Sequence, residues 1–238
     1  MKNVKQIEQI TTHNYTVKIL RTVRKKTASL TIKQGVASIV VPKSLAFDEI
    51  EQLVKEKHFW ILDKISQHNA ITPARIRQYV SGESFSYLGR NYRLKVISKG
   101  CSTPKLINGR ITVYIDETPQ PQHFIRKALV RWYEQKAMLK IHEKVERYQK
   151  VIGVQAQKIR IKQYKSRWGS CNAYGDLTFN TSIIMAPHSI IDYVVVHELC
   201  HLIHQNHSPA FWQTVERFMP NYKIAKDWLR HHGHSLII

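Results

Sequence analysis

The segment His197-Glu198-Leu199-Cys200-His201 constrains this chain more than any other, because it sets three costly polar side chains into a stretch that reads as buried. Ile190, Ile191, Tyr193, Val194, Val195 and Val196 precede it and would surround a helix with apolar side chains. Such a helix reads as buried on nearly all sides. Histidines at i and i+4 are separated by about 400° of helical turn, so they share one face a turn apart. Two imidazoles in that relation can hold one metal ion, while Glu198 leans toward the open side of the site. Zinc in a hydrolytic site takes three protein ligands and keeps one position for water, with a carboxylate beside it as general base. Without a metal, two histidines and a glutamate in so apolar a helix would be expensive to bury. An ordinary buried helix with incidental polar residues is the weaker reading.

The third ligand has to come from elsewhere. After His201 the only acidic residues are Glu216 and Asp227, and the nearby imidazoles are His204 and His207. His204 follows His201 too closely on the same helix and reads as a surface residue. His207 has the spacing of the last histidine in the pattern HExxHxxGxxH, where the chain leaves the helix and returns an imidazole to the metal. His204 replaces the glycine of that pattern, so the turn would rely on Asn206, a residue that tolerates the left-handed conformation. Ser208 and Pro209 then suit the N-cap and first position of a new helix through Phe211, Trp212, Val215 and Phe218. Ser189 and Asp192 have capping-box spacing, which predicts that the metal helix starts near 189. The candidate ligands are therefore His197, His201 and His207, with Glu198 as the catalytic residue.

Upstream, residues 15–20, 28–33 and 36–41 alternate apolar and polar side chains as strands do, with Gln34-Gly35 as a tight connection. Residues 46–67 have helical spacing, with Asp48, Glu49 and Glu51 placed early to suit the dipole. Further strands are predicted at 85–88, 92–97 and 111–115, with Asn108-Gly109 as a hairpin turn. Pro119 and Pro121 make 117–122 the best linker, giving an N-terminal strand-rich region at 1–117 and a second domain at 118–238. A long amphipathic helix is predicted over 123–149. Residues 157–164 then place Ile159 and Ile161 on one face and Lys158, Arg160 and Lys162 on the other. That strand is the candidate for pairing with an extended substrate, and 177–180 is a second short strand. No internal repeat is evident in the sequence.

The charge balance bears on partners. With 37 Lys and Arg against 17 Asp and Glu, the formal net charge is +20, which favours polyanions such as nucleic acid or acidic substrates. The positive residues are spread along the chain, densest at 21–26, 75–77 and 158–167, so a basic solvated surface is an equal reading. No run approaches the roughly 20 apolar residues of a membrane span, and the opening segment lacks the apolar stretch of a signal peptide. Three cysteines, Cys101, Cys171 and Cys200, make an odd count that suits a reducing compartment, and the cytoplasm is expected.

Several segments together resemble one family. Lys165-Ser166-Arg167-Trp168-Gly169-Ser170-Cys171, Leu177-Thr178-Phe179-Asn180, Met185-Ala186-Pro187, the stretch Val194 to His201, Asn206-His207-Ser208 and Phe211-Trp212 resemble the YgjP-like metallopeptidases. The HExxH core of these predicted metal-dependent hydrolases is similar to that of the SprT-like proteases. The resemblance is strongest over 159–230 and weaker through Val41-Pro42, Trp60-Ile61 and Tyr87-Leu88-Gly89-Arg90. It implies an α+β fold: a strand-rich N-terminal region followed by a zincin-like α/β core carrying the HExxH helix. It also implies zinc on His197, His201 and His207, with Glu198 as base. In 167–171, Arg167 could orient a substrate carbonyl or carboxylate and Cys171 could serve a metal or redox role. The favoured reading is a structural turn, with Trp168 in the core and Gly169 supplying a positive φ. Cys200 is expected to face the core.

The expected function is that of a zinc-dependent peptidase acting on protein or peptide substrates. The alternative is a nucleic-acid-associated module with a structural zinc site and little or no catalysis, against which the intact Glu198 speaks. The charge is testable by itself. If the basic surface meets phosphates, log affinity for mixed-sequence DNA should fall linearly with log salt, each contact contributing a slope of about −0.9 on duplex. Replacing Lys158, Arg160 and Lys162 with Gln should flatten that slope. No binding at about 50 mM salt, where screening is modest, would return the charge to a solvated surface.

Overall fold

The computed structural model describes residues 8–23, 27–33, 35–69, 77–100, 102–164 and 166–238. Gln34, Arg75, Cys101, Lys165 and the basic residues 24–26, all singled out from the sequence, lie outside them. The architecture is α+β, in two compact units, 1–73 and 74–238. Among the described residues no helix is long and apolar enough to cross a membrane.

In the first unit β1 (Gln9–Thr11), β2 (Thr16–Thr22), β3 (Ser29–Lys33) and β4 (Val36–Pro42) form a sheet of order β1-β2-β4-β3. Alternate residues Val17 and Ile19 of β2 and Ala37, Ile39 and Val41 of β4 are buried, with Ile50, Val54 and Ile61 from the helices over the same face. The expected single helix over 46–67 is two, α1 (Phe47–Glu56) and α2 (His58–Asn69). The break falls at Lys57, whose φ of −95° and ψ of 10° leave the helical region. A repeating apolar pattern fixes which face is buried but not whether the axis is continuous.

The second unit opens with β5 (Ser84–Tyr87), β6 (Arg90–Ile97), β7 (Ser102–Ile107) and β8 (Arg110–Tyr114), in the order β5-β6-β8-β7. Both sheets have an antiparallel outer pair, a parallel central pair and a second antiparallel outer pair. The topology therefore repeats although the sequence does not. Phe85, Leu94, Ile111 and Val113 of this second sheet share one core with Leu129, Trp132 and Tyr133 of the long helix α3 (Pro121–Ile152). The 117–122 segment, expected to separate two domains, thus lies inside the second unit. Its Pro121 is the first residue of α3, where a missing N–H costs nothing. Gly153 closes α3 in the left-handed conformation, φ 81°.

After α3 come β9 (Lys158–Lys162), β10 (Gly169–Cys171) and β11 (Asp176–Asn180), in a sheet of order β10-β11-β9. Ile159 and Ile161 are the half-buried positions of β9, as its alternation predicts. On its outer face Arg160 pairs with Asp176 at 2.9 Å. A 3-10 turn over Thr181–Met185 leads into α4 (His188–Cys200), followed by α5 (Pro209–Phe218) and α6 (Tyr222–His232).

Two contacts fix the start of α4. The β5–β6 turn donates Leu88 N–H to the Ile184 carbonyl at 2.9 Å and Gly89 N–H to that of Met185 at 3.1 Å. Gly89 has φ 78°, and a Cβ there would stand 2.8 Å from Pro187 Cα, so only glycine fits. Second, Lys144 Nζ of α3 donates to Asp192 Oδ1 of α4 at 2.6 Å, with side chains only 10% and 17% exposed. Asp192 therefore does not close a capping box with Ser189. α4 begins at His188 behind Pro187, without a side-chain cap.

Removing one member of so enclosed a pair leaves the other charge buried. Asp192→Ala is expected to lower the unfolding free energy by about 3 kcal/mol, and adding Lys144→Met to recover most of that loss. Urea denaturation measures both. A double mutant no more stable than Asp192→Ala would show that the pair does not pin the two helices.

Candidate metal centre

α4 carries the β-branched run Val194-Val195-Val196, which has modest helix propensity, so burial holds it helical. Ile190, Ile191, Tyr193, Val194, Val195, Val196, Leu199 and Cys200 are all buried. Cys200 faces the core as expected. The helix ends at Cys200, but His201 keeps helical angles (φ −67°, ψ −17°), so His197 and His201 remain a turn apart on one face. Their ring centroids are 5.0 Å apart.

The chain then turns and brings His207 back. Its ring lies 5.0 Å from that of His197 and 4.7 Å from that of His201, and its Nε2 is 3.0 Å from His197 Nε2. The turn does not use Asn206 in the left-handed conformation, since Tyr79, Leu88 and Asn108 are the non-glycine residues of positive φ among those described. Instead the helix tightens: Leu202, Ile203 and His204 N–H groups bond back to the Leu199 and Cys200 carbonyls at 3.0–3.1 Å. α5 starts as its sequence predicts, with the Ser208 hydroxyl accepting from Phe211 N–H at 3.3 Å and Pro209 next.

α5 also supplies the support for the three rings. Phe211, fully buried, lies 5.0, 4.5 and 4.9 Å from the rings of His197, His201 and His207. Trp212 stacks on His207 at 5.5 Å. His201 Nδ1 is 3.0 Å from the His204 carbonyl, a contact that holds its proton on that nitrogen and leaves Nε2 free. His204 thus acts through its backbone, and its own ring bonds Thr214 Oγ1 at 3.0 Å. Glu216 is drawn off to Lys223 at 3.6 Å. Of the residues weighed as third ligand, His207 joins the cluster and His204, Glu216 and Asp227 do not.

The three ligand atoms lie within 4.8 Å of one another. Two nitrogens bound to one tetrahedral zinc at 2.0–2.1 Å stand about 3.3 Å apart, so the cluster fits a zinc ion. The protonation also fits. Burial, reinforced by His201, His207 and Lys226, pushes His197 down to about 3, and burial lowers His201 as well. Neutral imidazoles present the lone pairs a metal needs. His197 Nδ1 is buried without a partner among the described residues, unlike its counterpart on His201.

Glu198 is 5% exposed. Burial pushes its carboxyl up to about 8, against the lowering influence of Arg167. Its neighbour is β10. A Cβ on Gly169 would stand 2.6 Å from Glu198 Cγ and 2.7 Å from Cδ, so the strand can approach the carboxylate only with glycine there. Gly169 therefore serves close approach and not a positive φ. β10 is an outer strand beside α4, whereas β9, the strand expected to border the site, lies on the far edge of the sheet.

The sequence reading gave no role to Asn180. Its Nδ2 donates to the carbonyls of Tyr164 and Arg167 at 3.0 and 2.9 Å, and its Oδ1 accepts from Ser182 N–H at 3.1 Å. It thereby ties the loop before β10 to the 3-10 turn before α4. A lone Asn at a strand end carries no such signal. Cys171 is half-buried and near enough to Glu198 to feel its charge, with burial the larger cause of its raised pKa, and it is not part of the cluster.

Solved structures similar to this chain include two metallopeptidase zymogens. The metallopeptidase zymogen of Pyrococcus abyssi abylysin is 26% identical, with a TM-score of 0.36 over 37% of this chain and 90% of its own. The metallopeptidase zymogen of Methanocaldococcus jannaschii jannalysin is 18% identical, with a TM-score of 0.33 over 37% of this chain and 93% of its own. No curated protein matches. The family model described as "YgjP-like, metallopeptidase domain" matches residues 26–232, most of the sequence, and the chain belongs to that family.

Proposed function

We propose that the chain is a zinc-dependent peptidase in which His197, His201 and His207 hold the metal and Glu198 moves the proton. The observation that carries this reading is the convergence of three imidazoles beside a buried carboxylate that lines an open cavity. Zinc, when bound, supplies a Lewis acid for the scissile carbonyl and lowers the pKa of a water in its open position toward 7. Beside a bound cation the Glu198 carboxyl would favour its ionised form, against the effect of burial. The carboxylate then accepts a proton from the attacking water and delivers it to the amide nitrogen as the C–N bond breaks. The products are a carboxylic acid and an amine. An extended substrate lies along the free edge of β10, pairing with its backbone, which brings a peptide bond past Glu198.

Purified chain should carry about one zinc, as a single three-ligand site requires, measured by elemental analysis. His197→Ala, His201→Ala and His207→Ala should each lose most of it, and His204→Ala should retain far more. Glu198→Gln should keep the metal and lose hydrolysis of a protein substrate. Full zinc in His197→Ala/His201→Ala would refute the ligand set. Loss of zinc in Glu216→Ala with retention in His207→Ala would move the third ligand to the glutamate.

A further inference from the structure

A cavity of about 480 Å³ opens beside Glu198 and His197. Trp168 and Arg167, before β10, line one side, and Lys226, Asp227 and Arg230 of α6 line the other. Tyr193 and Leu229 give it apolar surface. Three cations therefore face a single carboxylate other than Glu198.

The pairing of those charges is incomplete. Asp227 reaches Arg230 at 3.8 Å, one turn away on an exposed helix face, the kind of pair that contributes little. Among the described residues neither Arg167 nor Lys226 has a carboxylate within ion-pair distance. Each is held by an aromatic ring instead: Lys226 Nζ lies 4.2 Å from the centre of Trp212, and Arg167 Cζ lies 5.5 Å from that of Tyr164. A ring face positions a cation without neutralising it. Trp212 is also the residue stacked on His207, so one side chain places both a proposed ligand and a cavity cation.

We propose that this cavity is a specificity pocket for a carboxylate of the substrate, bound between Arg167 and Lys226 next to the bond to be cut. The proposal rests on the peptidase reading and deepens it by naming a substrate class, peptides with an acidic group close to the scissile bond. The aliphatic and aromatic walls accept the methylenes of the side chain, and the two cations accept its end. Two sources share this chemistry, an Asp or Glu side chain and the free C-terminal carboxylate of a peptide.

The test uses the whole chain with Glu198→Gln, loaded with zinc so that it holds peptides uncut, and isothermal titration of short peptides. One series, capped at both ends, moves a single Glu along the sequence, and each member has a Gln twin. A second compares a free C-terminus with its amide. In at least one register, or for the free terminus, the acid should bind about five- to tenfold tighter than its neutral twin, the range expected of two partly solvated charge contacts. The preference should shrink as salt rises and vanish when Arg167→Gln and Lys226→Gln are added. Arg167→Glu/Lys226→Glu in the same protein should instead favour a Lys-containing twin, a reversal that misfolding cannot produce. Equal binding of every acid and its neutral twin would overturn the proposal, as would a preference that survives both substitutions. Wild-type protein incubated with the same peptides separates the two claims. Cleavage without a carboxylate preference removes the pocket and leaves the peptidase. A carboxylate preference in binding, with no cleavage of any peptide, removes the peptidase and leaves the pocket.

Discussion

The burial of α4 on nearly all sides sets the terms for the rest of the second unit. A helix enclosed by apolar contacts carries His197, Glu198 and His201 only with support from the elements packed around it. The surrounding elements supply this from different directions. α3 offers Lys144 to Asp192, β10 comes close with a glycine, and α5 lays Phe211 under the three rings. The turn after His201 lends the His204 carbonyl. What remains open is the face where the imidazoles converge and the Glu198 carboxylate meets the cavity.

The same constraint shows why substitution at Gly169 or Phe211 would be felt at the site although neither has a chemical group to offer. A side chain at 169 would displace either the strand or the carboxylate. Loss of the Phe211 ring would leave three imidazoles free to turn, and a metal site depends on rings held at fixed angles. Asn180 works in the same indirect way, since its amide donates two hydrogen bonds to the loop that carries Arg167 and accepts a third from Ser182 in the turn before α4.

The convergence of the three histidines was legible in the sequence because it is local. Helical spacing sets His197 against His201, and Ser208-Pro209 announces the next helix, so His207 has to sit in a short turn between them. Long-range partners were not legible. Asp192 stands at capping-box distance from Ser189, yet its partner is 48 residues away on α3. β10 is three residues long, and its glycine makes sense only once Glu198 is seen against it. Pro121, which sits in what reads as a linker, begins a helix. The shared topology of the two four-stranded sheets was hidden for a related reason: strand order is set by which apolar faces meet, and many sequences satisfy one order. Within the first unit the alternation of β2 and β4 was plain, while the helix break at Lys57 was not.

In the proposed site three imidazoles, and no other side chain, hold the metal while one position stays open. X-ray absorption at the zinc edge of the zinc-loaded chain tests this. The expected spectrum has a first shell of nitrogen and oxygen at about 2.0–2.1 Å with outer scattering from three imidazole rings, reduced to two in His207→Ala. A sulfur contribution at about 2.3 Å, or a ring count unchanged by His207→Ala, would contradict it.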